Sequence, residues 1–162
     1  MVGRSFDPEG WTNRLAYCVE LELLTWCVRM YLDQLRGLAL DCAPWHEDSL
    51  MISFLTDRER LDEVAEGKWA TPNWRLFNFT SGPNTSWHFA AEAMREAHDF
   101  YTRGGPEEEF DERRDELCRC CARALRQRGV QQVLRERYDL AADFGMYAGH
   151  PDDRERNFCD EL

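Results

Sequence analysis

Three cysteines fall within four positions of the segment ELCRCCAR (residues 116–123), a density that could support metal binding or redox chemistry. Zinc requires thiolates that converge on one point at about 2.3 Å. On a helix with about 100° per residue, Cys118 and Cys120 lie about 160° apart, with Cys121 between them. One helix therefore cannot direct all three thiols at a single ion, and buried free cysteine behaves as a small apolar residue. We interpret the three cysteines as packing residues, with Cys121 in the middle of the buried stripe.

Two other segments place histidine beside carboxylates at predicted strand ends. His46 and Asp48 follow one predicted strand, and His150 and Asp152 follow another. If the two loops meet, these side chains could surround a metal ion or a water molecule, as in a small metal-dependent hydrolase. The alternative is that they are the polar residues that usually occupy turns. No nucleotide-binding fingerprint or nucleophile elbow accompanies them, so we expect no cofactor and favour a protein that is not an enzyme.

The elements that would position these residues begin with a long helix over residues 11–36, which ends at Gly37. Its apolar arc is so wide that cover on more than one side is expected, with Leu23 and Trp26 largely buried. The strands that follow, at 38–43 and 50–56, are predicted to form an antiparallel hairpin. The remaining predictions are a short acidic helix at 57–66, a strand at 73–80, helices at 86–103, 106–129 and 130–138, and a last strand at 140–149.

This order does not alternate strand and helix, so it predicts an α+β fold. We expect a small, mainly antiparallel sheet of about four strands, packed with the long N-terminal helix and several C-terminal helices. The length of 162 residues fits a single globular domain, 1–162, with polar ends at 1–10 and 150–162.

The charge of the chain limits its partners. Acidic residues outnumber Lys and Arg by 31 to 20, for a formal net charge of −11, which argues against nucleic acids and anionic membranes. The most apolar segment, 15–35, carries four charged residues and predicts no membrane span. The polar N-terminus and an odd number of cysteines favour a reduced, cytoplasmic protein.

Two surfaces are candidates for binding a protein partner. Residues 107–116 contain seven acids and two arginines, so Glu108, Glu109 and Glu112 could attract a basic protein, together with the acidic tail. These acids could instead only favour the dipole of a helix start. Trp69 and Trp74 could form an aromatic recognition surface, or could lie in the core.

Several of these segments resemble a family of small bacterial proteins of unknown function. The resemblance rests on Leu38-Ala39-Leu40, Ile52-Ser53-Phe54 and the pair Trp69 and Trp74, and it covers about residues 15–140. It implies an α+β fold, and it implies the class of toxin-neutralising immunity proteins, because some similar small acidic proteins have that role. It transfers no catalytic residue. We therefore expect a non-catalytic cytoplasmic protein that binds another protein.

Overall fold

The computed structural model describes residues 5–30, 32–59, 67–78, 86–103, 106 and 108–162. Four α-helices and three strands are present in this part of the chain. The helices are α1 (Pro8–Trp26), α2 (Ala91–Thr102), α3 (Glu108–Leu125) and α4 (Arg128–Arg137), and the strands are β1 (Gln34–Cys42), β2 (Leu50–Thr56) and β3 (Asp139–Gly149). The α+β class is as predicted.

Helix α1 begins where the sequence places a cap and a proline together. The Asp7 carboxylate accepts a hydrogen bond from the Gly10 amide at 3.1 Å, and Pro8 occupies the first turn, where its missing N–H is not needed. The helix then buries Trp11, Leu15 and residues further along the same face against α3 and α4.

The prediction that this helix continues to Arg36 is wrong. It ends at Trp26, and β1 already begins at Gln34, so Gly37 lies within a strand and does not end the helix. Strand β1 is the centre of the sheet and pairs on both sides, and this long-range pairing overrides the local helical pattern. The wide apolar arc predicted for this segment includes Val28 and Leu32, which follow the end of α1. They are 73% and 71% exposed, so no other part of the described chain has to cover them.

The sheet has the order β2-β1-β3 and is mixed. Strands β1 and β2 form the predicted antiparallel hairpin, with Leu40 opposite Ile52. Strand β3 pairs with β1 in parallel, with Leu40 opposite Ala148. The expectation of a mainly antiparallel sheet of about four strands therefore needs correction to three described strands, one of them parallel to the centre.

The predicted strand at 73–80 is absent from its described residues. A 3-10 turn covers Thr71–Asn73, and Leu76 makes a single antiparallel bridge to Phe54. Residues 79 and 80 lie outside the described part of the chain, as do residues 60–66 of the predicted acidic helix. The apolar residues of 69–77 do pack on the sheet, but as a coil that covers one of its faces.

The two faces of the sheet bury two separate groups of side chains. The face with Leu38, Leu40 and Phe54 packs against the helices and forms the main core. The other face carries Ala39, Leu55 and Tyr147, and the segment 67–78 covers it.

The C-terminal end is less polar than expected. Phe158 and Cys159 are buried within the 3-10 turn Phe158–Glu161, and the Arg156 guanidinium lies 4.1 Å from the centre of the Phe158 ring. The prediction of a polar end at 150–162 missed this apolar pair because acidic residues surround it in the sequence.

Candidate functional site

The two histidine segments, whose approach the sequence left open, do come together. Strands β1 and β3 are parallel, so the loops after them leave the same edge of the sheet. Trp45 lies against both histidines, with its ring centre 5.9 Å from that of His46 and 4.4 Å from that of His150. The two imidazoles are therefore closer than the separation of about 15 Å that would prevent them from sharing one ion.

Their immediate surroundings do not resemble a metal site. The Nδ1 atom of His150 accepts the backbone N–H of Asp152 at 2.8 Å, and the Asp152 carboxylate, 82% exposed, lies 4.0 Å from the same nitrogen. Asp48 and His46 are exposed. Burial lowers the pKa of His150, so the imidazole is mainly neutral at pH 7. Within the described residues, no three His, Cys, Asp or Glu side chains have an arrangement that could hold a metal ion. The hydrolase alternative therefore gains no support from this geometry.

The cysteines of α3 lie in the main core. Cys118, Cys120 and Cys121 are all fully buried, so the burial expected for Cys121 is confirmed and extends to both flanking thiols. Cys42 of β1 is the close neighbour of Cys118 and Cys121 and was missed, although it follows Leu38 and Leu40 at the two-residue spacing of one strand face. Contact with Cys42 and burial raise the pKa of Cys118, and burial raises that of Cys121, which keeps both as unreactive thiols.

The two candidate tryptophans cover the second face of the sheet. Trp74 is 3% exposed, and its Nε1 donates to the Lys68 carbonyl at 3.0 Å. Trp69 is partly exposed and stacks on Tyr147, with ring centres 5.6 Å apart. It approaches the strand so closely that a Cβ at Gly145 would lie 3.1 Å from its ring. Trp74 therefore has almost no surface to offer a partner, and Trp69 has only its outer part.

The same face contains a buried carboxyl group that the sequence pattern did not indicate. Asp41 of β1 is fully buried, and neither of its oxygens has a hydrogen-bond partner among the described residues. Burial raises its pKa to about 7, although Thr71 and Arg154 act in the opposite direction. The hydroxyl of the nearby Tyr147 donates to the carbonyls of His150 and Asp153. Asp41 is thus a proton-binding group inside the protein.

The acids of α3 are largely paired with arginines of the same chain. Glu109 pairs with Arg113, Asp115 with Arg156 at 2.6 Å, and Glu116 with Arg123 at 2.9 Å. Together with Phe100 and Arg119, several of these residues line a hollow of 650 Å³. Glu112 is exposed, and none of the ion pairs in the described chain involves it. Of the predicted binding residues, the side chain of Glu108 lies outside the description.

This pairing predicts different consequences for two neighbouring acids. Burial opposes ionisation of Asp115, but hydrogen bonds from Arg114 and Arg156 outweigh it and lower its pKa. Asp115→Asn should therefore lower the free energy of unfolding by about 1–2 kcal/mol at pH 7, whereas Glu112→Gln should change it by less than about 0.5 kcal/mol. Because the folded-state pKa is depressed, the Asp115 effect should fade below about pH 4. Urea denaturation at pH 7 and pH 3 measures both, and equal effects of the two substitutions would contradict the pairing.

An exposed apolar feature lies on α1, on the side away from the core. Tyr17 and Phe89 are 61% and 57% exposed and both line a hollow of 550 Å³, which we call the Tyr17–Phe89 groove. Its lining is mainly apolar and consists of Asn13, Arg14, Tyr17, Cys18, Leu21, Phe89, Glu92 and Ala93. Phe89 comes from the 3-10 turn Ser86–Ala90, which precedes α2.

A helical signal for this groove is present in the sequence. Tyr17, Leu21 and Leu24 follow one another at i, i+4 and i+7, roughly opposite the buried stripe that contains Trp11 and Leu15. The prediction of a single wide apolar arc on this helix did not separate these two stripes. A second stripe separated from the first indicates a helix with two apolar faces, of which only one is covered here.

The fold and these surfaces define an α+β protein with a mixed three-stranded sheet and an uncovered apolar groove. Comparisons of the chain with protein families, with curated proteins and with solved structures find no match. No helix in the described ranges has the length and apolar character needed to cross a membrane.

Proposed function

We propose that this protein binds another protein through the Tyr17–Phe89 groove and catalyses no reaction. The observation that carries the proposal is the exposure of two aromatic side chains that line the same apolar hollow. Aromatic residues that become buried on binding contribute most of the energy at many interfaces, and exposed apolar patches in folded proteins commonly mark such surfaces.

The border of the groove also fits a binding surface. Arg14 and Glu96 form an ion pair beside it, and Glu92 and Asn13 add polar groups. A polar rim around an apolar centre is the usual anatomy of a protein interface. Tyr17, Phe89 and Leu24 expose apolar surface to water, and burying that surface in a complex would favour association.

The partner that we propose is a bacterial toxin, neutralised in the cytoplasm. This choice rests on the similarity of the strand and tryptophan segments to small bacterial proteins, and on the immunity role of similar acidic proteins. Non-catalytic neutralisation needs only a stable complex, so it is compatible with a chain whose described histidines and cysteines form no metal-binding arrangement.

A double substitution tests the groove. Tyr17→Ser with Phe89→Ser should weaken binding of the partner at least 30-fold, since two exposed aromatics that become buried on binding are each worth about 1–2 kcal/mol or more. Val28→Ser with Leu32→Ser is the matched control, because these side chains are equally apolar and exposed but lie outside the groove. Partners would be captured from the source cells and from co-expression with the neighbouring reading frame, and affinities measured by titration calorimetry.

Two outcomes would contradict the proposal. If the Val28 and Leu32 substitutions weaken binding as much as the groove substitutions do, the interface is not centred on the groove. If the groove variant binds every captured partner as tightly as the unmodified protein, the groove is not a binding surface. Both variants should unfold within about 1 kcal/mol of the unmodified protein, because surface substitutions usually have small effects on stability.

A further inference from the structure

A second hollow adjoins the Tyr17–Phe89 groove and carries charge. It has a volume of 540 Å³ and shares Arg14 and Glu92 with the groove. Its remaining lining includes Phe6, Asp7, Glu96, Asp99 and Arg103. We call this region the acidic hollow, because its lining contains four carboxylates and two guanidinium groups.

Among the described residues, the charge of the acidic hollow is only partly balanced. Arg14 is engaged with Glu96, and Asp7 accepts a hydrogen bond from the Gly10 amide at the start of α1. Glu92 and Asp99 are exposed, and no ion pair among the described residues includes either of them. The protein as a whole carries a formal charge of −11, which adds to the local negative potential.

The groove and the acidic hollow together present an apolar surface with a negative border. Tyr17, Leu21 and Leu24 run along α1 at the spacing of successive helical turns, which suits a helix lying beside α1. Such an occupant would place apolar residues against Tyr17 and Phe89. Its next polar residues would lie over Glu92 and Asp99, where lysine or arginine is favoured and glutamate or aspartate is repelled.

Building on the proposed function, we propose that the segment of the partner that enters the groove is an amphipathic helix with lysine or arginine beside its apolar face. A second copy of this chain fits less well, because its own groove is bordered by carboxylates and would bring like charges together. The chemistry of the surface therefore favours a basic, apolar-faced segment of a different protein.

A synthetic peptide serves as the probe. A fluorescein-labelled helical peptide of leucine and lysine would be titrated with the full chain and followed by fluorescence anisotropy, with a leucine–glutamate peptide of the same pattern as its control. We expect the lysine peptide to bind, the glutamate peptide not to bind, and the affinity for the lysine peptide to fall as salt rises. Phe89→Ser should weaken binding at least tenfold.

Two charge reversals with the same change in net charge separate specific binding from general attraction. Glu92→Lys with Asp99→Lys should weaken binding of the lysine peptide at least tenfold. Asp111→Lys with Glu112→Lys alters the lining of the α3 hollow instead, and should weaken it less than threefold. Equal losses from the two pairs would show attraction to net charge alone, and a larger loss from the α3 pair would place the basic partner on α3; either result overturns the inference.

The same variants distinguish this inference from the proposed function. A captured partner that depends on Tyr17 and Phe89 but not on Glu92 and Asp99 would preserve the groove as the binding surface and refute the basic segment. Sedimentation of the purified protein tests whether a second copy of this chain occupies the groove. A dimer that Phe89→Ser converts to a monomer would identify a second copy in the groove and overturn the inference.

Discussion

Replacing Trp11 with alanine should lower the free energy of unfolding by about 3–5 kcal/mol. The Trp11 side chain is fully buried, and its Nε1 donates a hydrogen bond of 2.9 Å to the Ala93 carbonyl of α2. Its ring also lies 5.8 Å from that of Phe6. The substitution would leave a large cavity between α1 and α2 and remove the side-chain hydrogen bond to the Ala93 carbonyl. Urea denaturation followed by circular dichroism measures the change, since five other tryptophans complicate the fluorescence signal.

Two further substitutions extend this test. Trp11→Phe separates the loss of apolar volume from the loss of the hydrogen bond, and Trp26→Ala tests which tryptophan of α1 is the more deeply buried. Trp11→Phe retains most of the apolar volume, and we expect it to cost about 1–3 kcal/mol. Trp26→Ala should cost less than Trp11→Ala, because Trp26 is only partly buried at the end of the helix. Large burial of Trp26, which the helical pattern predicts, would instead give a loss of about 3–5 kcal/mol. A larger loss at Trp26 than at Trp11 would contradict the orientation of α1.

The parts of the fold that the sequence predicted well depend on local signals. Strand β2 has its predicted bounds, since Leu50–Thr56 is an apolar run between turns. Helix α3 begins with acidic residues and carries Arg123 in its last turn, as the helix dipole favours. The hairpin of β1 and β2 needs only a short connection and formed as expected.

The parts that could not be predicted depend on contacts between distant residues. Residues 34–37 alone cannot indicate a central strand, because the partner that makes it central, β3, lies more than 100 residues further along the chain. The coil around Trp69 and Trp74 has apolar residues typical of a strand, yet it crosses the sheet as a cover instead of extending it. Local pattern identifies residues that will be buried more reliably than it identifies the element that buries them.

The candidate sites divide in the same way. The sequence left open whether the loops of His46 and His150 meet, because their approach depends on the parallel pairing of β1 with β3. The contact of Trp45 with both histidines depends on the conformation of these loops. The pairing of the α3 acids with Arg156 joins residues 41 positions apart. The Tyr17–Phe89 groove is lined by residues from separate elements. The apolar stripe on α1 can be recognised in the sequence, but the hollow beside it cannot.

Replacing Asp41 with asparagine should stabilise the protein at pH 8 and leave its stability nearly unchanged at pH 4. The Asp41 carboxyl group is fully buried without a hydrogen-bond partner in the described chain, and burial raises its pKa to about 7. An aspartate in the unfolded chain has a pKa of about 3.9. Between these two values the folded protein holds a proton that the unfolded chain has lost, so this group makes stability fall as pH rises from about 4 to 7.

Above pH 7 both states have lost the proton, and the folded state bears the full cost of a buried charge, up to about 4 kcal/mol. Asparagine has nearly the same shape and no charge, so Asp41→Asn should recover about 2–4 kcal/mol there. Urea denaturation of both proteins at unit steps from pH 4 to pH 8 gives the difference directly, and other titrating groups cancel in it. Asp152→Asn is the control, because that carboxylate is 82% exposed and should show no such pH-dependent gain. A loss of stability at pH 8 would mean instead that Arg154 holds Asp41 as a stabilised ion pair, because removing one partner of a buried pair leaves the other charge uncompensated.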